Sequence, residues 1–183
     1  MAPDIPGLRY RPNYLDAATH DEILRLVAAE PWQDVNAHRR IQFHGQRYDY
    51  LSRSMKPAAP LPDWAARIAE ALYRDDLMLG VADQLLVSEY APGQGIPPHL
   101  DADVFDDAIV SISLGSACVM EFVDTKSDQT EALLLEPMSA LSMAGDARHR
   151  WKHAIPERTA DEWMGETIAR GRRVSLTFRN VVQ

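Results

Sequence analysis

The chain has 183 residues, 46% of them hydrophobic, and a net charge of −8 at pH 7. That length suits one domain, residues 1–183, with enough apolar content for a real core, which excludes wholesale disorder. The acidic balance argues against a protein that coats nucleic acid through bulk positive charge. There is no apolar run of membrane-spanning length, and the N-terminus MAPDIPGLRY lacks the charged-then-apolar pattern of a secretion signal. A cytoplasmic monomer without membrane contact is the expectation. The one cysteine, Cys118, has no intrachain partner and falls in the apolar stretch CVMEFV, as a buried, inert thiol would.

Thr19 with Glu22 makes a capping-box pattern ahead of Ile23, Leu24, Leu26 and Val27. This predicts a helix from about His20 to Glu30, ended by Pro31. A second helix is expected from near Pro62, with Trp64, Ile68 and Leu72 along one face. Between them HRRIQFHGQRYDYLSR, residues 38–53, reads as a hairpin-like stretch turning near Gly45. From Leu85 the character changes. LLVSEY, AIVSISL, CVMEFV, EALLLE, SALSM and RVSLTFR read as short strands separated by the turns APGQG, DTKSDQ and AGD. Helices followed by a run of strands predict an α+β fold, an antiparallel core with the N-terminal helices packed on one side. A jelly roll is the natural closed form for so many short strands.

His99 and Asp101 stand two residues apart, so on an extended segment their side chains share a face, and His153 follows in RWKHAI. Two histidines and one carboxylate can occupy one face of an Fe(II) octahedron and leave three positions open for reactants. Taken singly, each histidine also suits a loop or strand position of no chemical importance, and zinc accepts the same ligands. In Arg173-Val-Ser-Leu-Thr-Phe-Arg179 the period of two puts Arg173, Ser175, Thr177 and Arg179 on one face and Val174, Leu176 and Phe178 on the other. The polar face either meets water or points inward. Inward, the two arginines require anionic partners, which a dicarboxylate supplies.

Tyr90-Ala-Pro-Gly93, His99-Leu-Asp101, Ser111-Ile-Ser-Leu-Gly115, Arg148 with Trp151-Lys-His153, and Arg173-Val-Ser-Leu-Thr-Phe-Arg179 follow in an order and spacing that resembles the AlkB family of Fe(II)- and 2-oxoglutarate-dependent dioxygenases. The similarity runs from about Gly7 to Val181. It implies a double-stranded β-helix holding Fe(II) through His99, Asp101 and His153, with 2-oxoglutarate as cosubstrate and O2 as oxidant. It also implies that Arg173, helped by Tyr90, pairs with the distal carboxylate of 2-oxoglutarate and that Arg179 sits near the iron-side carboxylate. Ser88 and Ser175 stand where the family often has asparagine; serine can donate a hydrogen bond but reaches less far. No acid–base residue is required beyond the metal ligands.

In such enzymes the segment before the barrel forms a nucleotide-recognition lid, here residues 38–53. From Arg39 to Arg53 four arginines stand against Asp49, a local basic excess on an acidic chain. Arg40 and Arg47 would hold phosphates, Tyr48 and Tyr50 would stack on a flipped base, and Trp151 would wall the pocket beside the metal. The expected partner is alkylated DNA or RNA and the expected reaction oxidative demethylation. The alternatives are hydroxylation of a modified RNA base or of a protein side chain, and a non-catalytic jelly-roll binding module. Asp103, Asp106 and Asp107 oppose a nearby phosphate backbone and read as a solvated turn.

Overall fold

The first helix starts three residues before the Thr19–Glu22 pattern predicts. The cap is Asp16: its backbone is extended and its carboxylate accepts the Thr19 amide at 2.7 Å. The computed structural model describes residues 2–35, 39–49 and 54–182. Among these, the chain runs β1 (Leu8–Arg11), α1 (Ala17–Ala29), β2 (Gln33–Val35), β3 (Arg39–His44), β4 (Gln46–Asp49), β5 (Ser54–Pro57), α2 (Asp63–Arg74), β6 (Gln84–Tyr90) and β7 (Ile96–His99). It continues through β8 (Ile109–Gly115), β9 (Cys118–Asp124), β10 (Thr130–Leu135), β11 (Ala140–Met143), α3 (Gly145–His149), β12 (Trp151–Ile155), β13 (Ala160–Trp163), β14 (Glu166–Ala169) and β15 (Arg173–Arg179). The helix expected near Pro62 and all six expected strands are present. The AGD turn opens into the short α3, and the β13–β14 hairpin was not foreseen. No helix among the described residues is long and apolar enough to cross a membrane.

Seven strands form one sheet in the order β1-β11-β8-β15-β6-β3-β2, and four form a second in the order β10-β9-β12-β7. Pairing within both is antiparallel. The large sheet is covered on one side by the two longer helices. Val174, Leu176 and Phe178 of β15 meet Ile23 and Val27 of α1 and Ile68 and Leu72 of α2 in one buried cluster. Each such side chain contributes about 1.5–3 kcal/mol. On the opposite side, Ile109, Leu141 and Tyr90 of the large sheet pack against Cys118, Phe122 and Trp151 of the small one. This is a jelly roll with helices on one side. Cys118 is buried there, and burial pushes its thiol pKa up, which disfavours the reactive thiolate.

Gly45 corrects the expected hairpin. β3 joins the large sheet between β2 and β6, whereas β4 pairs only with β5, so the chain leaves one sheet for another at Gly45. Its φ is +80°, and a Cβ there would lie 2.0 Å from the Asp83 carbonyl oxygen. Only glycine fits that corner.

Asp161 holds the β13–β14 hairpin to the small sheet. Fully buried, it accepts from Arg170 Nε at 2.6 Å and Nη2 at 2.7 Å, from Arg158 Nε at 2.7 Å, and from the Val119 amide at 3.1 Å. Burial alone would raise its pKa, but Arg170, the Val119 amide and Arg158 hold it below the ordinary carboxylate range. Asp161→Ala leaves Arg170 buried without its anion and is expected to cost about 3–5 kcal/mol in urea melts. Because the folded pKa is depressed, this contribution is complete at neutral pH and is lost as the pH falls below about 4. The variant's deficit should therefore narrow in acid.

Candidate active site

β7 delivers His99 at its last residue, and the pairing of β12 with β7 sets His153 directly opposite, with ring centroids 4.3 Å apart. His99 Nδ1 lies 2.9 Å from the Pro97 carbonyl oxygen, to which it donates, so Nε2 keeps the lone pair. Asp101, two residues on, is buried. One of its oxygens takes a charge-assisted hydrogen bond from Arg179 Nη2. The other, Oδ2, has no hydrogen-bond partner and sits 3.6 Å from His153 Nε2, too far for a hydrogen bond. Burial pushes the His153 pKa down to about 4. Burial would also raise Asp101, but Arg179, then His153, His99 and Arg148, hold it at about 2. At neutral pH the pair is thus a carboxylate and a neutral imidazole.

Among the described residues no group of three or more His, Cys, Asp or Glu side chains stands in the geometry of a formed metal site. The chemistry these three present still fits one. An orphaned carboxylate oxygen faces a neutral imidazole nitrogen, and a second imidazole with a fixed tautomer lies beside it. A divalent cation is what satisfies such a set. Arg148 braces the loop from beneath, donating to the carbonyls of Asp101 at 2.9 Å and Ala102 at 2.7 Å. The sequence pattern included Arg148 but gave it no task.

His99, Asp101 and His153 line a cavity of about 570 Å³ between the two sheets. Its opposite wall is the polar face of β15, which turns inward: Arg173, Ser175, Thr177 and Arg179 all line the cavity, while the apolar face packs under the helices. Arg173 is 3% exposed. Its Nη2 donates to Ser113 Oγ at 2.9 Å, its guanidinium lies 5.6 Å from the Tyr90 ring, and its Nε and Nη1 have no partner. Ser175 shares a 2.8 Å hydrogen bond with Ser111 Oγ, and Ser88 is buried in the same wall. Arg179 lies 4.6 Å over the Phe105 ring.

Two of the expected substrate residues, Arg47 and Tyr48, line the cavity. Arg40 and Trp151 do not. Arg40 pairs with Glu89 Oε2 and stacks 4.7 Å over Trp32, on the side of β3 where Gln42 donates to the Val27 carbonyl of α1. The cavity side of β3 carries Arg39, Ile41 and Phe43 instead. Trp151 lies two residues before His153, at the start of β12, and is sealed in the apolar cluster between the sheets. Tyr50 lies outside the described residues. None of Asp103, Asp106 and Asp107 lines the cavity; Asp107 accepts from the Gly145 amide and meets His149.

A family model described as the 2OG-Fe(II) oxygenase superfamily matches residues 7–179. The chain belongs to this superfamily and, within it, to the AlkB-like dioxygenases. It is 35% identical over 206 residues to the "Alkylated DNA repair protein ALKBH8 homolog" of Arabidopsis thaliana, covering 97% of this chain and 59% of that one. It is 31% identical over 190 residues to an uncharacterized protein of Acanthamoeba polyphaga mimivirus, covering 100% of this chain and 88% of that one. The structure of OsALKBH1 shares the fold with a TM-score of 0.72 at 19% identity, covering 96% and 97% of the two chains.

Proposed function

We propose that this chain binds Fe(II) through His99, Asp101 and His153, binds 2-oxoglutarate along the polar face of β15, and oxidises an alkylated base of DNA or RNA. The observation that carries this reading is Arg173: a guanidinium 3% exposed, with two unpartnered nitrogens facing a cavity that also holds Asp101 and both histidines. A buried cation in that state calls for an anionic ligand. When bound, the metal with 2-oxoglutarate and dioxygen supplies oxidative decarboxylation coupled to hydroxylation of a C–H bond. An N-methyl group so hydroxylated leaves as formaldehyde.

The chain's own residues position and exclude. Arg173 would grip the far carboxylate as a planar fork, with Tyr90 packed beside it. Arg179 holds Asp101 in place and presents positive charge to the near end of the cosubstrate. Ser88 offers a hydroxyl to the same wall, and Ser175, already engaged with Ser111, can also accept from a ligand. Ile41, Phe43, Leu86 and Ile96 line the approach with apolar surface that displaces water. Tyr48 would present its ring to a base, and Arg47, stacked over Phe43, would hold a flanking phosphate, in a lid over residues 38–53 of a single catalytic domain.

The test is turnover of the wild-type protein with Fe(II), ascorbate and 2-oxoglutarate across a panel of DNA and RNA oligonucleotides carrying modified bases. Succinate release, increased by at least one oligonucleotide that itself changes mass, is the expected result. Succinate without a change in any oligonucleotide would remove the nucleic-acid reading and leave the oxygenase. No succinate under any condition would remove both.

A further inference from the structure

The charge of the cavity bears on which bases it can hold. Four arginines line it, Arg39, Arg47, Arg173 and Arg179, against one carboxylate among the described residues, Asp101. That carboxylate is already engaged by Arg179 and belongs to the proposed metal set. A divalent metal and a dianionic cosubstrate would offset each other, so loading the site leaves the excess of positive charge in place. Arg39 is the cation without a task in the proposed chemistry. It stands on the cavity side of β3, and its Nε is buried without a hydrogen-bond partner.

The aromatic lining tells the same story. A cationic ring could be held by the π-faces of the cavity, but three of the four aromatic rings there already carry a guanidinium. Arg39 and Arg173 lie 5.9 and 5.6 Å from the Tyr90 centroid, Arg47 lies 5.1 Å from that of Phe43, and Arg179 lies 4.6 Å from that of Phe105. A base methylated on a ring nitrogen, and therefore positively charged, would find no carboxylate in the cavity lining but Asp101, which Arg179 already engages. It would also meet repulsion strengthened by the exclusion of water. A neutral or anionic group would instead complete the bonding of Arg39.

We infer that Arg39 is a specificity-determining residue and that the site selects bases carrying a neutral or anionic oxidisable substituent over cationic N-methylated bases. This deepens the proposed function and rests on its nucleic-acid reading. The test uses protein loaded with Mn(II) and 2-oxoglutarate and three oligonucleotides identical but for one cytosine. That cytosine is 5-carboxylated (anionic), 5-methylated (neutral) or 3-methylated (cationic), so the phosphate contribution is common to all three. Fluorescence anisotropy at low, fixed ionic strength should show the 5-carboxylated strand bound at least tenfold tighter than the 3-methylated one. Arg39→Gln should bring that ratio to within about threefold of unity, and Arg39→Glu should reverse it, each with an unchanged melting temperature. Equal or tighter binding of the 3-methylated strand by the wild type, or a ratio unmoved in both variants, overturns the inference. If no oligonucleotide binds, the nucleic-acid reading has failed, and the charge preference is read on small probes. Phenylacetate should then stabilise the loaded protein thermally and benzyltrimethylammonium should not; equal stabilisation by the cation overturns the inference.

Discussion

Arg173→Ala is expected to raise the KM for 2-oxoglutarate by roughly 30-fold to several thousand-fold, corresponding to about 2–5 kcal/mol for removing one partner of a buried charge pair. The size follows from where the side chain sits. Arg173 is sealed from water, Ser113 takes one of its nitrogens, and the other two have no protein partner. A carboxylate entering that position would gain a two-pronged, charge-assisted contact. Arg173→Lys keeps the charge but not the fork, so it should raise KM by a smaller factor while leaving turnover at saturating cosubstrate closer to that of the wild type. Steady-state kinetics with 2-oxoglutarate varied separates the two effects. An unchanged KM in both variants would mean that Ser113 and the Tyr90 ring are all that Arg173 serves.

Asp101→Ala is expected to abolish metal-dependent succinate formation and to weaken Mn(II) binding by more than ~100-fold, beyond the 10–100-fold typical of losing an outer partner of a metal ligand. Asp101 is the one anion of the proposed ligand set, and its carboxylate is held ionised at about pKa 2. The substitution also strands Arg179, whose Nη2 donates to Asp101. Loss of stability of about 3–5 kcal/mol could then imitate loss of metal. Asp101→Asn removes the charge but keeps the shape and an acceptor for Arg179, so it separates the two causes. Calorimetric titration of both folded variants with Mn(II) decides the matter: wild-type affinity in Asp101→Asn, together with wild-type turnover, would take Asp101 out of the ligand set.

Much of this architecture was legible in the chain because the two periodicities of the backbone are local. The alternation in β15 divides arginines and serines from Val174, Leu176 and Phe178 whatever surrounds the strand, and His99 with Asp101 share a face by spacing alone. The same locality explains the misplaced helix start. Both Asp16 and Thr19 are competent caps, and the choice rests on which backbone turns extended, a matter of how the chain enters the helix from β1.

What only the tertiary structure decided concerns sides and partners. Arg39 and Arg40 must lie on opposite faces of β3, but both faces are covered, one by the cavity and one by α1. No polar-and-apolar alternation therefore marks which arginine faces in. The pairing of Arg40 opposite Glu89 settles it, and that is a contact across 49 residues. Trp151 shares the parity of His153, yet parity says nothing of depth along the strand, and there the apolar cluster claims it. Asp161 had no signal at all, since Arg170, Arg158 and Val119 converge on it only after the sheets form. The sequence alone determined the fold class and the parity of the strands read from it, β15 above all, because those follow from backbone geometry and side-chain type. Which residues face one another across the cavity was decided by long-range strand pairing, whose register depends on the whole of both sheets.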